Sequence, residues 1–234
     1  MRVAVVTGAS SGIGAAVVRA LQGRGVHVVG LSRSPSQADE HVACDVADRR
    51  AVEAAAAEIL ERHPSLDLVV ANAGLGARTT YLDADPETVE RVVAVNYLGC
   101  LWTARAFLPG LGPGSHLVNV VSVAGTVAGG PYSASKHAQL ELSRSLTIEL
   151  APRGISVHTV NPGFVETPGF PHRDRFGPLL GRIVVDPELV ARRLLAAVDH
   201  GRVEVTVPRW YAPAGWLQAL APGALARLRS RLRL

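Results

Sequence analysis

Apolar residues fall into short runs that alternate with segments of helical periodicity. The runs are rich in valine, leucine and alanine, and they predict strands over 2–7, 26–31, 41–46, 66–71, 115–121, 155–160 and 203–207. Apolar positions three or four residues apart predict helices over 15–22, 49–62, 86–108, 132–150 and 187–199. Strands separated by helices are typical of a parallel sheet covered on both faces. We therefore predict an α/β fold, a single Rossmann-like doubly wound parallel sheet.

Capping residues mark where two of these helices begin. Asp48 precedes the second predicted helix, and Asp85 precedes the third, with Pro86 at its first position. No internal repeat or linker divides the chain, so we expect one domain over 1–208. Residues 209–234 form an amphipathic, basic, helical tail, which we expect to break at Pro222-Gly223.

Composition excludes several classes of protein. Of the 234 residues, 48% are hydrophobic and 19% are charged, which is enough apolar material for a core and excludes a disordered chain. No apolar run reaches the roughly 18 residues of a membrane-spanning helix. The first apolar run is too short for the core of a signal peptide. We expect a cytoplasmic protein.

Positive charge is concentrated at the end of the chain. From residue 201 onward there are six arginines and one acid, so the rest is close to neutral and does not predict a nucleic-acid-binding surface. The apolar and basic tail fits contact with an anionic membrane surface, cover for a subunit interface, or cover for a substrate pocket.

Cysteine and histidine give no sign of a metal centre. Cys44 and Cys100 lie far apart without a CxxC motif, and we expect both to be buried as small apolar side chains. The eight histidines are scattered, so we expect no metal site.

A glycine-rich segment follows the first strand. Residues 7–14 read TGASSGIG, a GxxxGxG spacing before a helix. Glycines allow a tight turn and close approach of backbone N–H groups to a pyrophosphate, with a helix N-terminus behind it. The segment also fits a plain strand-to-helix turn. The candidate cofactor-binding residues here are Gly8, Ser10, Ser11, Gly12, Ile13 and Gly14.

The residue after the second strand bears on the choice of cofactor. An acidic residue there would bind the adenosine ribose and favour NAD, but this chain has Arg33 nearby instead. A guanidinium can bind a 2′-phosphate, so we expect NADP, with NAD as the alternative. Arg33 also fits a solvated surface arginine.

Two further segments end predicted strands. Asp45 and Val46 end the third, where the carboxylate can accept a hydrogen bond from an adenine amino group. Asn72, Ala73 and Gly74 end the fourth, and their residue types suit a tight bend beside a ligand.

Chemistry is suggested by Ser122 and by residues 132–136, YSASK. Tyr132 and Lys136 are four positions apart and share one helical face. An ammonium near a phenol lowers the phenol pKa from about 10 and suits it to proton transfer. Lys136 is the only lysine in the chain, which agrees with a specific role. The pair also fits an exposed amphipathic helix.

Together these motifs resemble the short-chain dehydrogenase/reductase family over residues 1 to 208. The matches are TGASSGIG at 7–14, DV at 45–46, NAG at 72–74, Asn96, Ser122, YSASK at 132–136 and NPGFVET at 161–167. The resemblance implies that Tyr132 is the general acid or base, Lys136 binds the nicotinamide ribose, and Ser122 polarises the substrate carbonyl. It further implies that Asn96 kinks its helix and exposes a carbonyl for a water-mediated proton relay.

The resemblance also implies cofactor contacts and an assembly. Asp45 and Val46 would meet the adenine, and Asn72 the adenosine side. Val165 and Thr167 would meet the nicotinamide carboxamide, with Pro162 and Gly163 shaping the turn. Long helices often pair between subunits in this family, so we expect a homodimer or homotetramer.

The chain departs from the family pattern in the interval between Ser122 and Tyr132, which is two or three residues shorter than is common. The shorter loop could widen the substrate pocket or shift Ser122 relative to Tyr132. The segment 163–185 corresponds to the family's substrate loop. Its aromatic and aliphatic residues favour a lipophilic ketone or secondary alcohol, although they could also dock the loop on the body. Arg78 could meet an acidic substrate group or be solvated.

Two alternative functions stay open at this point. One is a cofactor-binding regulatory protein without turnover, although the chain retains Asn96, Ser122, Tyr132 and Lys136. The other is reduction of an imine or enone, which the sequence does not distinguish from carbonyl reduction.

Overall fold

The computed structural model of the chain describes residues 1–77, 79–168 and 183–232. These residues contain a seven-stranded sheet in the order β3-β2-β1-β4-β5-β6-β7, in which every pairing is parallel. The strands are β1 (Val3–Thr7), β2 (His27–Ser32), β3 (Glu40–Ala43), β4 (Leu66–Ala71), β5 (Leu111–Val120), β6 (Ser156–Pro162) and β7 (Glu204–Val207).

Helices connect the strands on both sides of the sheet. They are α1 (Gly12–Gln22), α2 (Arg49–Arg62), α3 (Pro86–Val93), α4 (Gly99–Phe107), α5 (Gly130–Leu150), α6 (Pro187–Asp199), α7 (Ala212–Leu220) and α8 (Pro222–Leu232). The predicted doubly wound α/β fold is therefore confirmed.

Alternation along the strands builds two apolar layers. On one face, Val6 and Leu68 pack with Val17 of α1 and Leu194 of α6. On the other face, Val5 and Leu117 pack with residues of α2 and α4. One of these is Phe107 of α4, which is fully buried. Successive side chains of a strand point to opposite faces, so valine-rich strands buried on both faces need apolar residues at nearly every position.

Both predicted caps form. The Asp48 carboxylate accepts hydrogen bonds from the backbone of Arg50 and Ala51 at 2.9 and 3.3 Å. The Asp85 carboxylate accepts one from Thr88 N at 2.7 Å, and Pro86 is the first residue of its helix. The two cysteines are buried and unpaired, as expected.

Several predicted boundaries were wrong. β3 ends at Ala43, so Asp45 and Val46 lie in the turn that follows it, where Asp48 N donates to Asp45 O. The helix predicted over 86–108 is interrupted by a π-helical segment, Ala94–Leu98. The tail breaks at Ala221 rather than at Pro222-Gly223, because proline is accepted in the first turn of a helix.

Two histidines on neighbouring strands, His116 on β5 and His158 on β6, are hydrogen-bonded to each other. His158 Nδ1 lies 2.7 Å from Arg202 O, and because a carbonyl only accepts, Nδ1 carries the proton. His158 Nε2 then accepts from His116 Nδ1 at 3.0 Å. Burial lowers the pKa of both imidazoles, which favours their neutral forms.

This pair should make the protein less stable in mild acid. The unfolded histidines take up protons near pH 6.5 and the folded pair resists this, so the free energy of unfolding should fall as pH drops below about 6.5. The slope has an upper limit of about 1.4 kcal/mol per pH unit for each histidine. Urea unfolding between pH 8 and pH 5.5 measures it. His116→Gln should reduce the slope, and His41→Gln, an exposed control, should not. Equal slopes in the wild type and His116→Gln would contradict this account.

Candidate active site

The glycine-rich segment forms a tight turn between β1 and α1. Gly8 and Gly12 have positive φ values of +68° and +54°, which side chains rarely permit. A Cβ added to Gly14 would lie 2.1 Å from Gly8 O, so only glycine allows the helix to approach the turn. Ser11 precedes α1 without a side-chain capping bond, and Ser10 and Ser11 are exposed. The first backbone N–H groups of α1 can therefore bind an anion, and the turn fits a pyrophosphate.

Thr7 and Asn72 fix this turn to the end of β4. Thr7 Oγ1 accepts hydrogen bonds from Asn72 N at 3.0 Å and Ala73 N at 3.1 Å. The Asn72 side chain donates to Thr7 O at 2.9 Å. Asn72 thus supports the shape of the turn, and its predicted cofactor contact stays a prediction.

The turn after β3 holds an ion pair that sequence reasoning missed. The Asp45 carboxylate accepts from Ala47 N at 3.0 Å and pairs with the Arg91 guanidinium of α3. Burial acts to raise the pKa of Asp45, but the hydrogen bonds from Arg91 and Ala47 N and the charges of Arg91 and Arg33 together outweigh it, and the pKa is lowered. A carboxylate can accept from a further donor, and the predicted adenine contact stays a prediction. The Val46 side chain is buried against Gly99.

Arg33 lies beyond the end of β2 with an exposed side chain. Among the described residues it has no ion pair within 4.0 Å, although its charge contributes to the low pKa of Asp45. An arginine at this end of the sheet remains available to a charged ligand.

Ser122 and Tyr132 are brought together by a short helical turn. Ser122 caps the 3₁₀ segment Val123–Thr126, and its hydroxyl accepts from Ala124 N at 3.1 Å. Tyr132 lies in the first turn of α5, near enough to Ser122 for the Ser122 side chain to act on the pKa of its phenol. The shortened interval therefore still brings Tyr132 near Ser122, because Gly130, with φ of +53°, lets the chain turn sharply into α5.

Lys136 lies one helical turn after Tyr132 on α5 and is 3% exposed. Its Nζ donates to Gln139 Oε1 at 2.7 Å and to Val120 O at 3.3 Å, and it lies 6.0 Å from the centre of the Tyr132 ring. Burial lowers the pKa of Lys136 to about 8. Gly74 borders the ammonium, since a Cβ there would lie 3.6 Å from Nζ.

The expected effect of Lys136 on Tyr132 is not seen in this arrangement. Burial raises the pKa of Tyr132, and the hydrogen bond with Ser122 opposes that rise only in part. The ammonium is directed to Gln139 instead. Gln139 was missed from the sequence, although its position three residues after Lys136 on one helix was a signal.

Asn96 joins three segments around the site. It is fully buried within the π-helical segment, its Oδ1 accepts from Leu75 N at 2.7 Å, and its Nδ2 donates to Leu75 O and Ser135 Oγ, both at 2.9 Å. The predicted irregularity of this helix is present. The predicted water relay stays a prediction.

The segment after β6 closes over the glycine-rich turn. A Cβ on Gly12 would lie 3.0 Å from Thr167 Cγ2, so these two residues are neighbours. Val165 is buried and bridges to Val185, and Pro162 O lies 3.4 Å from Ser122 Oγ. These residues and Gly163 lie beside the glycine-rich turn and Ser122.

The tail contributes Tyr211, which sequence reasoning did not place in the site. Its ring lies against Gly163, its hydroxyl donates to Ile183 O at 3.1 Å, and it meets the Phe164 ring edge-on at 5.9 Å. Helix α7 packs on the 3₁₀ turn after Ser122, where Gly215 adjoins Thr126. The beginning of the tail thus packs on the protein itself. Arg78 and the predicted substrate-loop residues within 169–182 lie outside the described residues.

Comparison with known proteins gives consistent results. A family model described as short chain dehydrogenase matches residues 2–175. A 2-(R)-hydroxypropyl-CoM dehydrogenase from Xanthobacter autotrophicus is 37% identical over 190 residues, which cover 71% of this chain and 76% of that protein.

Solved structures share the fold. A short chain dehydrogenase/reductase from Burkholderia phymatum in complex with NAD has a TM-score of 0.82 and 25% identity, covering 93% of this chain and 92% of that one. An alcohol dehydrogenase from Thermococcus sibiricus, complexed with 5-hydroxy-NADP, has a TM-score of 0.77 and 27% identity, covering 88% and 95%.

Replacing a glycine of the glycine-rich turn by alanine tests whether this turn binds the cofactor. Gly14→Ala places a methyl group where Gly8 O lies, so the turn must shift and its N–H groups lose their alignment. Binding of a nicotinamide dinucleotide should weaken roughly tenfold or more, because several hydrogen bonds are spoiled together. Fluorescence titration measures this. Gly112→Ala is the control, since no atom lies within 4 Å of its added Cβ. Wild-type affinity in Gly14→Ala would contradict the assignment of the turn.

Proposed function

The chain belongs to the short-chain dehydrogenase/reductase family, and we propose that it interconverts a lipophilic ketone and the matching secondary alcohol with NADP(H). The observation that carries this proposal is the grouping of Ser122, Tyr132 and the buried Lys136, since Ser122 acts on the pKa of Tyr132 and Lys136 Nζ lies 6.0 Å from the centre of the Tyr132 ring. These groups lie at the carboxyl ends of the strands, where open parallel sheets bind their ligands.

The residues present fit a nicotinamide dinucleotide. The N–H groups of the glycine-rich turn and of the α1 N-terminus would hold the pyrophosphate, and Lys136 would hold the ribose beside the nicotinamide. Val165 and Thr167 would bind the carboxamide, and Asp45 the adenine. When bound, the cofactor supplies or accepts the hydride.

The proton is moved by the protein's own residues. In reduction, the Ser122 hydroxyl donates a hydrogen bond to the substrate carbonyl and Tyr132 gives its proton to the same oxygen. Burial favours the neutral phenol, so Tyr132 holds its proton until the substrate oxygen becomes basic enough to take it. In oxidation these steps run in reverse.

NADP is supported by the end of β2. Arg33 is exposed there and lies near the Asp45–Arg91 pair, so two guanidinium groups border the adenosine end of the site. A 2′-phosphate carries charge that a guanidinium binds well, while a bare ribose does not.

An apolar substrate is supported by the surroundings of Gly163. The side chains of Phe164 and Tyr211 form an aromatic wall there, and the segment 123–126 beside Ser122 is covered by α7. We propose that the tail, through Tyr211 and α7, forms one side of the substrate pocket.

We also propose that the enzyme acts as a cytoplasmic homo-oligomer. Ile148 on α5 is 76% exposed, an apolar position suited to an interface. The helical stretch Pro86–Gly110 meets the length and composition of a membrane span, but Val92 and Phe107 within it are fully buried in the core.

Titration of both cofactors tests the choice of NADP. The wild type should bind NADPH more tightly than NADH, and Arg33→Gln should reduce that preference by roughly ten- to a hundredfold, the value of a hydrogen bond to a charged group. Arg193→Gln, at an exposed position on α6, should leave it unchanged. Tighter NADH binding by the wild type would overturn the role of Arg33.

A panel of apolar ketones, imines and enones, run with the tighter cofactor, tests the reaction. Turnover of ketones is the expected result. Tight cofactor binding without turnover of any compound would contradict the proposal and favour a regulatory protein, and turnover of only imines or enones would correct the substrate class.

A further inference from the structure

A second cluster of polar side chains lies at the amino ends of the strands, whereas the candidate active site lies at their carboxyl ends. His27 is the first residue of β2, Glu40 is the first residue of β3, and His63 is the residue after α2. The amino ends of β2 and β3 lie side by side, since Val29 pairs with Glu40. The carboxyl end of α2 lies at this same end of the sheet, so His63 reaches Glu40.

The three side chains converge on a single oxygen atom. His27 Nε2 and His63 Nε2 each lie 2.7 Å from Glu40 Oε1, and the three atoms lie within 4.8 Å of one another. The two imidazole rings are 5.2 Å apart between centres. Within the parts of the chain that the structure describes, His27, Glu40 and His63 are the only group of three potential metal ligands.

Arg62 holds the other carboxylate oxygen. Its Nε and a terminal nitrogen lie 3.1 and 3.0 Å from Glu40 Oε2. This contact orients Glu40 so that Oε1 faces both imidazoles, the way that outer hydrogen bonds fix metal-binding carboxylates. The guanidinium charge also weakens the attraction of a cation, so Arg62 limits affinity while it fixes geometry.

We propose that His27, Glu40 and His63 form a binding site for one divalent transition metal ion, for which Zn²⁺ is the best fit. Two imidazoles and one carboxylate are ligands that zinc accepts, and a water would complete a tetrahedron. Calcium and magnesium prefer oxygen ligands alone, so the two histidines exclude them as the main occupant. The inference is independent of the proposed enzymatic function.

Binding requires only small movements of the side chains. Ligands of a tetrahedral zinc ion lie about 3.3 Å apart at zinc–ligand distances of about 2.0–2.1 Å, so each 2.7 Å contact must open by roughly half an ångström. The side chains of His27, Glu40 and His63 are 40%, 28% and 19% exposed, which leaves a path for the ion. Binding displaces the protons shared between imidazole and carboxylate.

The ion would connect β2, β3 and α2. β3 is the edge strand and has four residues, so few sheet hydrogen bonds hold it. A metal joined to its first residue would tie this strand to the body. The site would therefore be structural, and Zn²⁺ should raise the melting temperature.

Zinc titration of the full-length, chelator-treated protein by calorimetry tests the proposal. We expect one Zn²⁺ per chain, a melting temperature that rises with Zn²⁺ and returns with EDTA, and visible d–d absorption when Co²⁺ is used as the probe. Both His27→Gln and His63→Gln should weaken binding roughly tenfold or more, because each removes one of three protein ligands. Glutamine keeps a hydrogen-bond donor for Glu40, and circular dichroism checks that the fold is retained.

The control is His41→Gln, one residue after Glu40 on the same strand, whose side chain points to the opposite face. It should bind Zn²⁺ as the wild type does. Absence of zinc binding by the wild type would overturn the proposal in favour of a simple ion-pair cluster. Binding that is unchanged in both His27→Gln and His63→Gln would overturn it too, since the metal would then lie elsewhere.

Discussion

The parallel pairing of β1 with β4 is the contact on which the candidate active site depends. Strand order runs from β1 to β3 in one direction and from β4 to β7 in the other, so the connections diverge at this pair and leave a crevice at its carboxyl end. The register of Val6 with Val70 brings Thr7 beside Asn72. The hydrogen bonds between these two residues then hold the glycine-rich turn next to Gly74 and Lys136. Loss of this register would separate the glycine-rich turn from Tyr132 and Lys136.

Burial at Lys136 is the second constraint. It lowers the pKa of Lys136, while burial of the neighbouring Cys100 and Tyr132 raises theirs. Removing an ammonium from water is costly, and its pKa falls to about 8, so the charge is retained at neutral pH with little margin. Gln139 Oε1 and Val120 O compensate by accepting hydrogen bonds from its Nζ. Burial also raises the pKa of the Cys100 thiol to about 11, which keeps this neighbour uncharged. In the same surroundings Tyr132 is held neutral, and the site stores its proton rather than losing it to solvent.

The parts of this structure that local patterns control could be predicted from the sequence. Valine-rich runs predicted all seven strands, and Asp48 and Asp85 predicted two helix starts, because a cap depends on residues within one turn. Long-range contacts could not be read in this way. The Asp45–Arg91 pair joins residues from different connections, and the contact of Tyr211 with Gly163 depends on how the tail folds back. The convergence of His27, Glu40 and His63 likewise follows from the pairing of β2 with β3, which spacing along the chain does not reveal.

The central claim is that Tyr132 moves the proton, and Tyr132→Phe tests it most directly. This substitution removes one hydroxyl and leaves the glycine-rich turn, Arg33 and Lys136 in place. Cofactor affinity should stay within about twofold of the wild type, while turnover of a ketone should fall by roughly 10²–10⁴-fold, the usual contribution of a general acid. Tyr81→Phe, at a position that is 61% exposed, serves as the matched control and should keep wild-type turnover. Unchanged turnover in Tyr132→Phe would contradict the mechanism.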